Sequence, residues 1–224
     1  MTAAVLADVT PAWRDAVHGA QQSFRALLDA MSRPGRVLVL PSAALAGIVP
    51  PPSQEPGAPM SLGAAALLLT LLDAETTVSL GPSLAGDAAM AYLRFHTGVR
   101  EALPGEPAAF HVLRAADAGT RTWSLLDAGS DEAPQRGATL VVEVPALHEV
   151  KPQPRPAAAG TVRLHLRGPG IESVHHLAVG GLPLAFWRER IALQALFPRG
   201  VDLVLVCGTQ IAAIPRSTRI TLEI

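Results

Sequence analysis

Apolar residues recur every three or four positions near the N-terminus, the spacing of one face of an α-helix. The pattern covers residues 10–31, with Thr10 as candidate N-cap, Pro11 in the first helical position and Pro34-Gly35 as the stop. It predicts an amphipathic helix with one apolar face. That face comprises Trp13, Val17, Ala20, Phe24, Leu27, Leu28 and Met31.

Short apolar runs bounded by glycine and proline predict the strands of a sheet. The run VDLVLVC at residues 201–207 is nearly continuously apolar, which is typical of a central strand buried on both faces. Val162, Leu164 and Leu166 alternate with polar residues, which predicts a strand with one face in solvent. Further strands are predicted at residues 36–40, 76–80, 110–114, 121–126, 139–144 and 219–224, and further helices at residues 59–73, 84–95 and 183–196.

The order of these elements indicates the fold class. Helices and strands intermingle without a strict β-α-β repeat, which favours a mixed central sheet flanked by helices. The chain has 224 residues, 49% of them hydrophobic, which suits one large domain with an ample core. We therefore predict a single α/β domain over residues 1–224, with Pro-rich loops near residues 50–59 and 150–159.

Composition narrows the setting in which the protein works. The formal net charge is −1, so no overall field attracts nucleic acid or an acidic membrane surface. No apolar run reaches the roughly 18–20 residues that a membrane-spanning helix needs. The N-terminus lacks the basic region of a secretory signal, and one cysteine, Cys207, permits no disulfide within the chain. These features predict a cytoplasmic protein with neither a nucleic-acid nor a membrane partner.

Several kinds of catalytic site are absent from the sequence. It contains no P-loop, G-x-G-x-x-G, H-E-x-x-H or G-x-S-x-G motif. Lys151 is the only lysine and lies in the Pro-rich stretch KPQPRP, so Schiff-base chemistry with pyridoxal phosphate is disfavoured. We expect no cofactor.

A histidine pair and the lone cysteine are weak candidates for chemistry. His175 and His176 could be metal ligands, but adjacent side chains diverge and no cysteine or carboxylate pattern surrounds them. A surface loop without a metal is therefore the favoured interpretation. Cys207 ends a buried apolar strand, where a thiol is usually inert.

Arginines beside glycine and proline turns are the stronger candidates. Arg94 and His96 precede Thr97-Gly98, Arg199 lies in Phe-Pro-Arg-Gly, and Arg216 follows Pro215. Guanidinium groups near such turns can bind phosphate or carboxylate groups bidentately. The alternative is structural, with each arginine capping a helix or pairing with an acid such as Asp202.

Seven segments occur in order along nearly the whole chain. They are FRALLDAMSRPGRV (residues 24–37), LLLTLLDAETTV (67–78), LRFHTG (93–98), GATL (137–140), LRGPGI (166–171), FPRGVDLVLVCG (197–208) and AIPRSTRI (213–220). Together they resemble the PhnH family of phosphonate metabolism proteins.

The resemblance implies a fold, partners and a reaction. The family's fold is similar to that of pyridoxal phosphate-dependent transferases, but its members do not use that cofactor. Family members form homodimers and join PhnG, PhnI and PhnJ in the core complex of carbon–phosphorus lyase. With an ATP-binding-cassette-type partner, that machinery transfers the ribose 5-triphosphate moiety of ATP onto methylphosphonate and displaces adenine.

Two functions remain open at this stage. The first is an interaction subunit, consistent with the missing catalytic motifs and with the scarcity of lysine, which interfaces also deplete. The second is a ligand-binding or catalytic subunit in which Arg94, His96, Arg199 and Arg216 converge on a phosphate-rich substrate. The resemblance carries no catalytic residue over to this chain.

Overall fold

The computed structural model describes residues 9–51, 59–103, 105–119, 122–150 and 159–223. Lys151 and most of both predicted Pro-rich loops lie outside these ranges. Within them, no helix combines the length and the hydropathy needed to cross a bilayer.

The helices are α1 (Ala16–Ser32), α2 (Ser42–Leu45), α3 (Leu62–Leu71), α4 (Asp87–Thr97) and α5 (Leu184–Ala192). The strands are β1 (Leu38–Val39), β2 (Thr77–Leu80), β3 (Arg100–Glu101), β4 (Phe110–Arg114), β5 (Thr139–Glu143), β6 (Leu147–Glu149), β7 (Thr161–Arg167), β8 (His175–Gly180), β9 (Asp202–Cys207), β10 (Gln210–Ile214) and β11 (Arg219–Leu222).

The strands form two sheets. A seven-stranded sheet has the order β1-β10-β9-β5-β4-β2-β3, in which β3, β2, β4, β5 and β9 are parallel, β10 is antiparallel to β9, and β1 is antiparallel to β10. This mixed sheet confirms the predicted α/β class. A second sheet, antiparallel and in the order β11-β7-β8-β6, was not predicted.

Side chains of the central strands alternate between two hydrophobic cores. Val204 and Val206 of β9 pack with the helices α1 to α4. Leu203 and Leu205 face the other way and pack with the second sheet and α5. The mixed sheet therefore lies between a helical layer and a second sheet, which explains the nearly continuous apolar run that the sequence shows at β9.

Helix α3 is buried, as predicted, and lies directly against the end of β9. Its seven residues from Gly63 to Leu69 are all buried, and the Ser61 side chain caps its first turn by accepting from the Ala64 N–H. The Gly63 N–H donates to the Gly208 carbonyl oxygen at 2.9 Å, and a Cβ at Gly63 would lie only 2.6 Å from that oxygen. Glycine is therefore required for this close approach.

Helix α1 differs from its prediction at its start. It begins at Ala16 with Asp15 as the N-cap, whose side chain accepts from the His18 N–H at 3.0 Å. Thr10, the predicted cap, instead donates its hydroxyl to the Val49 carbonyl at 2.7 Å. The helix is five residues shorter at this end because residues 10–14 run alongside residues 41–49 and bond to them. A second such bond connects the Arg14 N–H to the Ala46 carbonyl.

The apolar face of α1 is only partly buried. Leu27 and Ala30 are buried against α3 and the sheet, together with the small residues Gly19 and Ser23. Val17, Phe24 and Leu28, which the prediction placed on the same face, are 70%, 47% and 51% exposed. The buried face is therefore shifted to one side of the predicted apolar face, and the small residues Gly19 and Ser23 provide part of the inward contact.

One predicted strand is a helical turn instead, and the helix predicted at residues 183–196 changes type near its end. Residues 121–126 were predicted as a strand, but Trp123–Leu125 is a short 3-10 helix. The Trp123 indole N–H reaches into the second core and donates to the Phe186 carbonyl at 2.7 Å, which fixes this turn. Helix α5 ends at Ala192 and continues as a 3-10 turn through Leu196, within the predicted 183–196.

Candidate functional site

A cleft of about 1000 Å³ lies beside β2, β3 and β4. Ser79, His111 and Leu113 line it from the sheet, and they alternate with Val78 and Val112, which belong to the core under the helices. The cleft is therefore on the side of the mixed sheet away from the helical layer. Strand β2 has β3 on one side and β4 on the other, so the chain order reverses here, which is a common location for ligands in open α/β sheets.

A tight turn forms one rim of the cleft. Gly81 directly follows β2, and Asp117 lies shortly after β4. The Ser83 hydroxyl donates to Asp117 Oδ2 at 2.5 Å, and the Ser83 N–H donates to Asp117 Oδ1 at 3.3 Å. A Cβ at Gly81 would lie 2.8 Å from Asp117 Oδ2 and 2.8 Å from Leu113. Glycine at this position lets the two strand ends come together, and the Ser83–Asp117 bonds hold them.

Apart from His111, the ionisable groups that line the cleft in the described part of the chain are acidic. Glu106, Asp117 and Asp127 line it, and no lysine or arginine is among the described residues in its wall. Glu106 is paired with Arg100 through bonds of 2.7 and 2.6 Å, which lower the pKa of Glu106 to about 2. Such a wall favours an uncharged or cationic, partly apolar ligand over a phosphate group.

Among the described residues that line the cleft, His111 has unused hydrogen-bonding capacity. Its Nε2 atom is buried and has no partner among the described residues. The ring makes a backbone hydrogen bond with Ala108, but burial lowers the pKa of His111 more strongly than that bond raises it. A neutral imidazole with an unpaired ring nitrogen therefore lies in the wall of the cleft.

The first two predicted anion-binding residues lie on α4, in the helical layer. His96 Nε2 lies 3.0 Å from the Thr10 carbonyl oxygen, and its ring packs edge-on against Tyr92 and Phe95. Arg94 is exposed, and within the described ranges its side chain has no ion-pair partner. Helix α4 ends after these residues, at Thr97, as predicted, with Gly98 in the left-handed conformation.

The other two predicted residues hold the loop of residues 128–137 against the start of β9. Arg216 binds Asp202 through Nε and Nη2, with a shortest distance of 2.6 Å, and donates to the Pro134 and Gly137 carbonyls. Arg199 Nε lies 3.0 Å from Asp131 Oδ1. In the residues described, no hydrogen bond or ion pair links these two arginines to Arg94 or His96. The pairing with Asp202 that the sequence offered as an alternative is present.

A third arginine in this region escaped the sequence analysis. Arg190 on α5 is only 1% exposed, donates from Nη2 to the Pro215 carbonyl at 3.0 Å and lies 5.9 Å from the Trp123 ring. Burial lowers the pKa of Arg190 to about 10, while the nearby Asp202 carboxylate opposes that shift. Asp202 thus stabilises two guanidinium groups, and this corner of the molecule is a structural ionic cluster.

The histidine pair is not in a loop, as the sequence favoured, but at the start of β8. The two side chains diverge as expected for a strand: His175 Nε2 lies 3.0 Å from the Gly35 carbonyl, whereas His176 stacks edge-on with His165 at 4.5 Å. Glu223 lies close to that second pair. The register of the β7–β8 hairpin and the pairing of β11 with β7 bring these residues together, so no local sequence signal marked the cluster. Burial raises the pKa of Cys207, in keeping with an inert thiol.

Loss of the Arg216 side chain should destabilise the protein. Arg216→Ala leaves the half-buried Asp202 carboxylate without its partner and removes the anchors of the 128–137 loop, so we expect unfolding free energy to fall by about 2 kcal/mol or more. Urea denaturation measures this change. Arg219→Ala, at an exposed position nearby, should change stability by less than about 0.5 kcal/mol. Equal stability of the two variants would show that Arg216 is not a structural anchor.

Acid should destabilise the wild-type protein more than a His111→Gln variant. The folded-state pKa of His111 lies below that of the unfolded chain, so the unfolded chain binds more protons and stability is lost as pH falls below about 6.5. Thermal unfolding between about pH 7.5 and 5.5 measures the difference. His148→Gln, which changes an exposed histidine, should retain the wild-type pH dependence; parallel profiles for wild type and His111→Gln would contradict the interpretation.

Comparison with known proteins gives concordant results. The family model described as bacterial phosphonate metabolism protein (PhnH) matches residues 11–221. The alpha-D-ribose 1-methylphosphonate 5-triphosphate synthase subunit PhnH of Rhizobium meliloti (strain 1021) is 36% identical over 214 residues, which cover 95% of each chain. HtxG of Stutzerimonas stutzeri, described as a proposed C-P lyase subunit, is 33% identical over 205 residues, covering 91% of this chain and 86% of HtxG. The chain therefore belongs to the PhnH family of bacterial phosphonate metabolism proteins.

Proposed function

We propose that this chain is a subunit of a synthase that forms α-D-ribose 1-methylphosphonate 5-triphosphate, and that it contributes interaction surfaces to that complex. The observation that carries the proposal is the match to the R. meliloti subunit over 95% of both chains. The name of HtxG, a C-P lyase subunit, points to the same kind of assembly. The mixed sheet with all its covering layers lies within the matched region, so the similarity extends over the whole fold.

The partners in this proposal are a second copy of the chain and subunits of the PhnG, PhnI and PhnJ types, working in the cytoplasm. A kinship of the fold with pyridoxal phosphate-dependent transferases, without the cofactor, is part of the same proposal. The position of the only lysine, Lys151, in a Pro-rich stretch supports the absence of a Schiff base.

An exposed apolar stripe on α1 supports an interaction role. Val17, Phe24 and Leu28 follow each other at intervals of seven and four residues, so they point outward within an arc of about 40°. Exposed apolar side chains that share one face commonly mark contacts with other subunits. We assign this α1 stripe to a subunit contact in the complex.

Disruption of the α1 stripe should release the chain from its complex. The tagged chain is co-expressed with PhnG-, PhnI- and PhnJ-type subunits. We expect the wild-type chain to retain them and the double variant Phe24→Asp, Leu28→Asp to lose them, because a buried unpaired carboxylate is costly at an interface. Leu184→Asp, at a 49% exposed position at the start of α5, is the matched control and should behave as wild type.

The mass of what elutes separates the possible results. Loss of the partners while the chain stays dimeric assigns the stripe to contacts with other subunits, and conversion of a dimer to a monomer assigns it to the second copy. Retention of every partner by the double variant would refute the assignment of the stripe. Elution of the wild-type chain without partners would count against the subunit role itself.

A second candidate function is ligand binding within the complex, and the cleft with the unpaired His111 Nε2 favours it. The acidic, partly apolar wall suits an uncharged base better than a triphosphate. The phosphate-binding role proposed for Arg94, His96, Arg199 and Arg216 requires a different location. Of these four, Arg94 is the side chain best placed for it, since it is exposed and unpaired within the described ranges, whereas Arg216 is saturated by Asp202 and two carbonyls.

Titration of the isolated chain with adenosine and with methylphosphonate distinguishes the two locations. If the ligand site is the cleft, adenosine should bind. His111→Ala should then weaken the affinity for adenosine by roughly three- to tenfold, the effect of one lost hydrogen bond. Isothermal titration calorimetry measures both. If only methylphosphonate binds, and Arg94→Ala abolishes this while Arg188→Ala does not, the site is on α4 and the cleft assignment is wrong.

A further inference from the structure

Two histidines and a glutamate meet on the outer face of the second sheet. His165 is on β7, His176 on β8, and Glu223 directly follows β11. One potential ligand atom from each of the three lies within 4.8 Å of the other two. The sequence separates His165 from Glu223 by 58 positions, so only the pairing of strands brings them together.

Strand register places all three on the same face. His165 pairs directly with His176 across β7 and β8, and Thr221 pairs with His165 across β11 and β7. The neighbouring residues Leu164 and Leu177 are fully buried in the second core, so the two histidines point to the opposite side of the sheet. Glu223 is two residues after Thr221 and therefore shares that side. Its N–H donates to the Arg163 carbonyl oxygen, which extends the pairing of β11 with β7.

Existing contacts leave the ligand atoms within reach of one another. Glu223 Oε2 lies 3.3 Å from His165 Nε2, and the two imidazole rings are edge-to-face with centroids 4.5 Å apart. Arg163 Nη1 lies 3.4 Å from the other oxygen of Glu223, Oε1. A metal ion at this site would therefore bind close to a positively charged guanidinium group.

The geometry points to a binding site for a divalent transition-metal ion formed by His165, His176 and Glu223. Two imidazoles and one carboxylate suit Zn²⁺, whereas Mg²⁺ and Ca²⁺ prefer oxygen ligands alone. Donor atoms of a tetrahedral zinc site are about 3.3 Å apart. Glu223 Oε2 and His165 Nε2 are already 3.3 Å apart, and rotation of the partly exposed side chains has to bring the remaining pairs closer by at most about 1.5 Å.

Such an ion would connect three strands and keep one coordination position open. It would fasten the last strand, β11, to the centre of the second sheet, because its ligands come from β7, β8 and the end of β11. The fourth position would be available to water or to a donor atom from another chain. This inference replaces the expectation from the sequence that the chain has no metal site, and it does not depend on the synthase role.

Zinc titration of the tag-free chain, stripped of metal with EDTA, tests the site. We expect one Zn²⁺ per chain by calorimetry and a higher melting temperature with zinc, because an ion that binds only the folded state stabilises it. His165→Ala and His176→Ala should each weaken binding by about tenfold or more. Glu223→Gln, which preserves size, should weaken it as well, and Mg²⁺ should give no response.

His148→Ala is the matched control, since His148 is an exposed histidine on β6 of the same sheet. It should bind zinc as wild type does. Circular dichroism of each metal-free variant checks that the fold is intact, so a lost zinc response cannot be attributed to unfolding. The site is refuted if wild type shows no binding, or if His148→Ala loses as much affinity as His165→Ala. Full assembly of the wild-type complex in EDTA would support the subunit role, independently of the result of the zinc titration.

Discussion

Side chains of β5 and β9 alternate between two hydrophobic cores, so neither face of the mixed sheet can be exposed without cost. Each valine or leucine that becomes fully buried contributes about 1.5–3 kcal/mol, and both strands provide such residues on both sides. The helical layer covers one face, and the second sheet with α5 covers the other. The layers of this fold follow from that double burial, and so does the tight contact of α3 with the β9–β10 hairpin at Gly63.

Double burial also decides where chemistry can take place. Over β5 and β9 the mixed sheet is covered completely, whereas beside β2 and β4 the second sheet does not extend, and there the cleft with His111 lies. Polar side chains also converge on the outer face of the second sheet. The arginines near β9 serve the core instead, since Arg216 and Arg190 surround Asp202 and hold the 128–137 loop in place.

Local patterns in the sequence predicted what depends on local physics. The runs at β9 and α3 are apolar because these elements are buried on all sides, and their positions are confirmed. The side of α1 that packs inward was not predictable from hydrophobicity, because Gly19 and Ser23 make the contact where space is limited. Cross-strand neighbours such as His165 and His176 depend on the register between two strands, and Glu223 joins them only through the pairing of β11 with β7, which composition and spacing do not encode.

The two outermost strands of the mixed sheet, β1 and β3, have only two residues each. Edge strands of this length offer few unpaired backbone groups to an incoming strand, and short edges are one way in which proteins avoid open-ended sheet growth. Joining the mixed sheets of neighbouring chains into one continuous ladder is therefore unfavourable here. The subunit role proposed above would benefit from this protection, because contacts are then selected by the identity of side chains and not by the backbone, which is common to all proteins.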